Sequence, residues 1–194
     1  MTRPREFDRD EALNNAMRVF WQKGFAATST DDLLAAMNIG RQSLYNTFGS
    51  KRELYLEALD RYQQESVSGH VRRLKAASTP VAGLESMLLG VIARDERERT
   101  LGCMGVNSVC EHGADDEDLA SMRAKMSGVL LAPVVERIRE GQQLGEIDAS
   151  LDAQATAMFV LTAMQGLQLN ARGGLDAKTL RSIARFAIDR IRSR

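Results

Sequence analysis

Residues 24–54, GFAATSTDDLLAAMNIGRQSLYNTFGSKREL, constrain the fold more than any other stretch of the chain. Ser29 or Thr30 caps a short helix there, and Asp31 and Asp32 suit its positive N-terminal end. Leu33, Leu34 and Met37 give that helix an inward face. Asn38, Ile39 and Gly40 then break it, and a second short helix runs from about Arg41 to Thr47. Its outward side chains are polar, while Leu44 and Phe48 lock it to its neighbour. Two short helices joined by so tight a break form the plan of a helix-turn-helix, whose second helix enters the major groove of DNA.

Helical periodicity recurs almost everywhere else, with three prolines in the chain and no strand pattern. Leu13, Ala16, Met17 and Phe20 follow the i, i+3, i+4, i+7 spacing of a first helix over Arg9–Lys23, closed by Gly24. Ser50 caps a fourth helix reaching Ala76, with Glu53 completing a capping box. Pro80 opens a fifth, residues 94–100 form a charged bend, and a sixth spans 104–111. A seventh covers 115–143 with a kink at Pro133, an eighth 151–171, and a ninth 177–192. The ninth carries a stripe of Leu180, Ile183, Ala184, Ala187, Ile188 and Ile191. The expected fold is all-α: an N-terminal helix-turn-helix domain over 1–50 and a larger helical domain over 51–194, connected by the helix over about 51–76. So large a body exceeds what DNA binding needs, so it must also dimerise or bind a ligand.

Composition bounds the function. Hydrophobic residues make up 44% of the 194, enough for a core. The formal net charge is zero, which counts against a nucleic-acid reader, but Arg41, Lys51 and Arg52 cluster around the second short helix. No leader pattern is visible, and the two cysteines point to a reducing cytoplasm. Residues 153–171 carry no charge, long enough to span a bilayer, but their glutamines, threonines and asparagine favour a helix buried between others over a membrane span.

The side chains on the second short helix suit base reading. Gln42 can pair bidentately with adenine and Arg41 with guanine, while Ser43 can bond either base or phosphate. Tyr45 and Asn46 fit phosphate contacts, as do Lys51 at the start of the fourth helix and Thr28 ahead of the second. Taken alone, each reads better as an ordinary solvated residue; the shared frame favours DNA contact. Arg3 and Arg5 read equally well as a minor-groove arm or a solubilising tail.

Gly24-Phe25, Thr28-Ser29, Ile39, Leu44-Tyr45, Phe48, Ser50-Lys51 and Glu53-Leu54, in this order and spacing, resemble the TetR family of bacterial transcription regulators. The resemblance implies a homodimer on a palindromic double-stranded DNA operator, released by a small-molecule effector bound in the body. The eighth and ninth helices would then pair across the dimer as a four-helix bundle, with Phe159 and Leu161 in the contact. Gly40 departs from the family's frequent capping serine or threonine, though glycine also serves as an N-cap. Gln42 replaces a frequent small residue with a longer, base-capable one.

For the ligand pocket, Cys103, Met104, Asn107, Met122, Met126 and Met158 are the candidates. Methionine adapts to irregular shapes, though it is also ordinary core filler. Asn107, among Met104, Val106 and Val109, needs a partner: a ligand or a backbone carbonyl. Cys103 and Cys110 read first as small buried hydrophobes and second as a thiol sensor of oxidants or electrophiles. Seven residues of helix set them about 10 Å apart in rise, too far for an intrahelical disulfide. Cys110, His112, Asp115 and Asp116 match no zinc spacing, and Cys110 and His112 fall on different helix faces, which disfavours a nucleophile pair. No metal, cofactor or catalytic residue is expected.

Overall fold

The computed structural model describes residues 7–193, so Arg3 and Arg5 lie outside the described residues. Ten helices follow one another: α1 Arg9–Lys23, α2 Thr30–Met37, α3 Arg41–Phe48, α4 Lys51–Ala76, α5 Pro80–Leu89, α6 Glu96–Leu101, α7 Met104–His112, α8 Glu117–Gln143, α9 Ala153–Arg172 and α10 Ala177–Asp189. Among the described residues the only strand-like pairing is one antiparallel bridge, Ile147 with Arg192. The charged bend expected at 94–100 is a helix instead, which makes ten where nine are expected. Asp95 caps it by accepting the Glu98 N–H, and it buries no residue, so no apolar stripe betrays it in the sequence.

The local chemistry explains the boundaries. Asp8 caps α1 by accepting the N–H groups of Asp10 and Glu11. Ser29 and Asp32 form a reciprocal capping box on α2. Asn38 ends α2 in the left-handed region, φ 53°, a conformation asparagine tolerates better than most side chains. Gly40 serves as the N-cap of α3 without a side-chain bond. Ser50 accepts the Glu53 N–H at the start of α4.

Two cores result. Ala12, Leu13, Ala16 and Phe20 of α1 pack with Leu33 and Met37 of α2, Leu44 and Phe48 of α3, and Leu54, Tyr55, Ala58 and Leu59 of α4. Met104 of α7 and Leu119 of α8 join this head core, so the body plugs two side chains into the head. Burial of each leucine-sized side chain is worth about 1.5–3 kcal/mol. The second core gathers Leu84, Met87 and Leu88 of α5, Val134 and Ile138 of α8, Val160 and Leu167 of α9, and Leu180, Ala184 and Ile188 of α10. The α4 helix reaches both cores, contributing Leu54 to one and Leu74 to the other.

Among the described residues no helix is long and apolar enough to cross a membrane. The uncharged α9 buries Thr156, Ala157, Val160, Leu161, Met164, Leu167, Gln168 and Ala171 on one side only. Met158, Phe159 and Leu169 stand exposed on the other, and Ile183 and Phe186 of α10 are exposed beside the buried stripe. Periodicity places Ile183 inside with that stripe; it is instead 43% exposed.

Candidate functional site

The helix-turn-helix presents Arg41, Gln42, Tyr45 and Asn46 on the exposed face of α3, with Ser43 half-buried at its side. Leu44 and Phe48 point the other way into the head core, so the helix has one anchored and one free face. The polar groups already engage each other. Arg41 pairs with Asp31 at 2.7 Å, and Gln42 Nε2 donates to Asn46 Oδ1 at 2.8 Å. Each keeps further donors for a base: Arg41 its remaining N–H groups, Gln42 its second Nε2 hydrogen and its Oε1. Lys51, half-buried, holds its Nζ 4.4 Å from the centroid of the Phe25 ring. Thr28 is the exception among the expected contacts. It is 1% exposed, and its hydroxyl donates to the Gly24 carbonyl at 2.5 Å. It braces the turn between α1 and α2 rather than facing a phosphate.

That turn is gripped by the body. The Glu111 carboxylate, at the end of α7, accepts the N–H of Phe25 at 3.0 Å and of Ala26 at 2.6 Å. Gly24 makes room for it: φ is +80°, and a Cβ there would lie 2.9 Å from Glu111 Oε2. The His112 ring sits 5.7 Å from Phe25 and 5.8 Å from Tyr55, which are themselves 5.0 Å apart. Arg52, at the start of α4, makes a bidentate pair with Asp116, the N-cap of α8, and reaches Asp118 at 2.8 Å. The Arg52 guanidinium holds the Asp116 carboxyl down at about 2. Of the residues at 110–116, Asp116 is taken by Arg52, and His112 packs on aromatic rings.

Above this clasp lies a cavity of about 220 Å³ between α4, α7, α8 and α9. Its walls include Val67, Val106, Val109, Met126, Leu130 and Met164, with polar groups from Tyr62, Gln63, Ser66, His70, Arg123 and Gln168. Burial pushes the His70 imidazole down to about 4, so it is neutral at pH 7. Burial, with the Cys103 thiol alongside, pushes the Tyr62 phenol up. A larger groove of about 650 Å³ runs between α1, α4 and α6. Arg18, Arg72, Arg73 and Arg99 line it together with Glu65 and Glu98, beside Met17, Trp21, Val91 and Leu101, so it carries both signs of charge and no single one.

Of the six residues expected at a ligand, Cys103 and Met126 line the cavity. Met104 is buried in the head core and Met122 packs against it. Met158 is 50% exposed on the outer face of α9. Asn107 Nδ2 donates to the Leu101 carbonyl at 3.1 Å, so its amide closes the α6–α7 turn. The cysteines also differ from their first reading: both are free thiols, Cys103 half-buried and Cys110 exposed, and both line the cavity. Sequence reasoning misses Glu111, His70 and Arg123. His70 shares its helix face with Gln63 and Ser66, so no apolar stripe singles it out in the sequence. Glu111 gives no signal either, since only folding brings it to residues 25 and 26.

Residues 12–58 match the family described as bacterial regulatory proteins, tetR family. The HTH-type transcriptional repressor ComR of Escherichia coli (strain K12) is 30% identical over 184 residues, 94% of this chain and 88% of that protein. The uncharacterized HTH-type transcriptional regulator YezE of Bacillus subtilis (strain 168) is 30% identical over 182 residues, 93% of this chain and 94% of that protein. Among solved structures, a cysteine mutant of the TetR family transcriptional regulator CifR, complexed with 26 bp double-strand operator DNA, superimposes with a TM-score of 0.80 at 31% identity, covering 96% of this chain and 98% of that one. With the exposed face of α3, the paired cores and these likenesses together, the chain belongs to the TetR family of DNA-binding transcriptional regulators.

Proposed function

We propose that this chain is a repressor that binds a two-fold symmetric operator as a homodimer and lets go when a small molecule fills the α4–α7–α8–α9 cavity. One observation carries the reading. The helix that lines the cavity with Gly105, Val106, Val109 and Cys110 ends in Glu111 and His112, the side chains that hold the head. A shift of α7 on filling the cavity would therefore move the recognition helix through the turn at residues 25 and 26. The head over 1–50 reads DNA and the body over 51–194 senses, with α4 belonging mechanically to both. Gln42 reads adenine and Arg41 guanine, Ser43 takes a base or a phosphate, and Tyr45, Asn46 and Lys51 take phosphates. The dimer forms through the outer faces of α9 and α10, where Met158, Phe159, Leu169, Ile183 and Phe186 leave apolar surface exposed. Its place of action is the cytoplasm.

The test is a titration. Compounds that raise the thermal midpoint of the protein are added to the operator complex, and each is expected to weaken it by a coupling of typically about 1–3 kcal/mol. If every compound that stabilises the protein leaves operator affinity unchanged, the effector reading is lost.

A second reading has one observation behind it: Cys103 and Cys110 open onto the same cavity as free thiols. In it, a thiol adduct replaces the reversible ligand. Labelling Cys103 with and without operator DNA distinguishes the two; an adduct that leaves operator binding intact removes the thiol reading.

A further inference from the structure

We propose that the cavity is built for a compact organic monoanion, a carboxylate paired with Arg123 whose apolar body lies against Val67, Val106, Val109, Met126 and Leu130; this deepens the effector reading and rests on it. Among the described residues that line the cavity, Arg123 alone is charged at pH 7, and none is an aspartate or glutamate. Its Nη1 is buried and has no hydrogen-bond partner. Most cations in a protein have an escape from such a position. A buried lysine or histidine can shed its proton, as His70 does here, but a guanidinium cannot. Arginines of α1 and α4 show the usual solution, carboxylate pairing: Arg9 with Glu57, Arg52 with Asp116, Arg61 with Asp10. Arg123 instead borders an apolar space with a donor unspent. Arg123 as a whole is half-buried, but its inward Nη1 spends no donor on the protein, and an arriving carboxylate would satisfy it with a charge-assisted bond.

The rest of the cavity narrows the class. An apolar cavity of about 150 Å³ holds a benzene ring. At about 220 Å³ this one suits an aryl or short alkyl chain with one polar end. The single guanidinium matches one negative charge; a phosphate dianion would bring a second with nothing to meet it. Gln63 Oε1 and His70 Nδ1 are also buried without partners, so a hydroxyl or amino substituent on the ligand finds a place to bond.

Calorimetry of the full-length protein with matched acid and primary-amide pairs tests this. Benzoate, 3-phenylpropanoate and hexanoate are titrated against their amides. At least one acid is expected to bind about tenfold or more tighter than its amide, the scale of a charge-assisted bond. Arg123→Gln is expected to equalise acid and amide, and Arg123→Lys to retain part of the preference. Amides binding as tightly as acids to the unaltered protein, a preference surviving in Arg123→Gln, or no acid binding at all would each overturn the proposal. Operator binding measured in parallel separates it from the reading beneath. An acid that binds through Arg123 and leaves the operator complex intact refutes the effector role and not the site. Amides that bind equally and release the operator refute the carboxylate and not the effector.

Discussion

Gln42 and Lys51 sit in different chemical settings: one is an exposed amide bonded to Asn46, the other an ammonium resting on the Phe25 ring. Replacing Gln42 with alanine is expected to relax preference at one position per half-site, by about 1–3 kcal/mol. Lys51→Ala should weaken all sequences alike and flatten the salt slope by about one unit per half-site. Binding isotherms on operator and scrambled duplexes at several salt concentrations check both, and equal loss of specificity in the two variants would show the roles misassigned. His70 makes a prediction about pH. Its folded pKa is depressed, so the unfolded chain binds the proton first, and stability falls as pH drops from about 6.5 towards about 4. Between pH 7 and pH 5 that loss is about 2 kcal/mol, and His70→Gln should remove this part of the slope in denaturant titrations. At this scale the sequence disclosed the exposed face of α3, because helical spacing alone separates Gln42 from Leu44. It did not disclose the pocket. Met104, Met122 and Met158 look alike as residues, and only the crossing of α7, α8 and α9 sends them to the head core, its margin and the outer surface.

Between elements, the contact of α7 with the α1–α2 turn is the joint on which the proposed regulation turns. Glu111→Gln removes the charge that accepts two backbone N–H groups, and the loss is expected at about 1–3 kcal/mol of stability. More tellingly, it should shrink the effect of a cavity ligand on operator affinity while leaving ligand affinity in place. Paired titrations of ligand against free and DNA-bound protein measure this; undiminished coupling would move the transmission to α4 and its Arg52–Asp116 pair. The outer faces of α9 and α10 carry a second expectation. Phe186→Glu, at a side chain 61% exposed whose ring lies 4.7 Å from the Arg190 guanidinium, should yield stable monomers in sedimentation, because Arg190 can pair the new carboxylate within the subunit while the proposed apolar contact across the dimer is lost. Leu161 is no test of the interface: it is 8% exposed in its own subunit, and a charge there would unfold the body. If Phe186→Glu stayed dimeric, the interface would lie elsewhere. Helix positions were largely legible from caps and periodicity. The exception, α6, is six residues with no buried side chain, and so lacks the apolar spacing that reveals a helix in a sequence.

At the scale of the whole molecule, two cores are threaded by one helix, with a ligand-sized space against the segment that grips the DNA-reading head. The all-α class and the order of head and body followed from spacing. The clasp and the charge in the cavity did not, since both join residues far apart in the chain, Glu111 with Phe25 and Arg123 with Val67. Everything proposed about regulation depends on the head reading DNA as one half of a symmetric pair. Selection of binding sites from a random duplex pool by the full-length protein measures that directly. Enriched sites are expected to carry two inverted half-sites whose centres lie one helical turn, about 34 Å, or a multiple apart. Enrichment of sites without two-fold symmetry, or no enrichment, would contradict it.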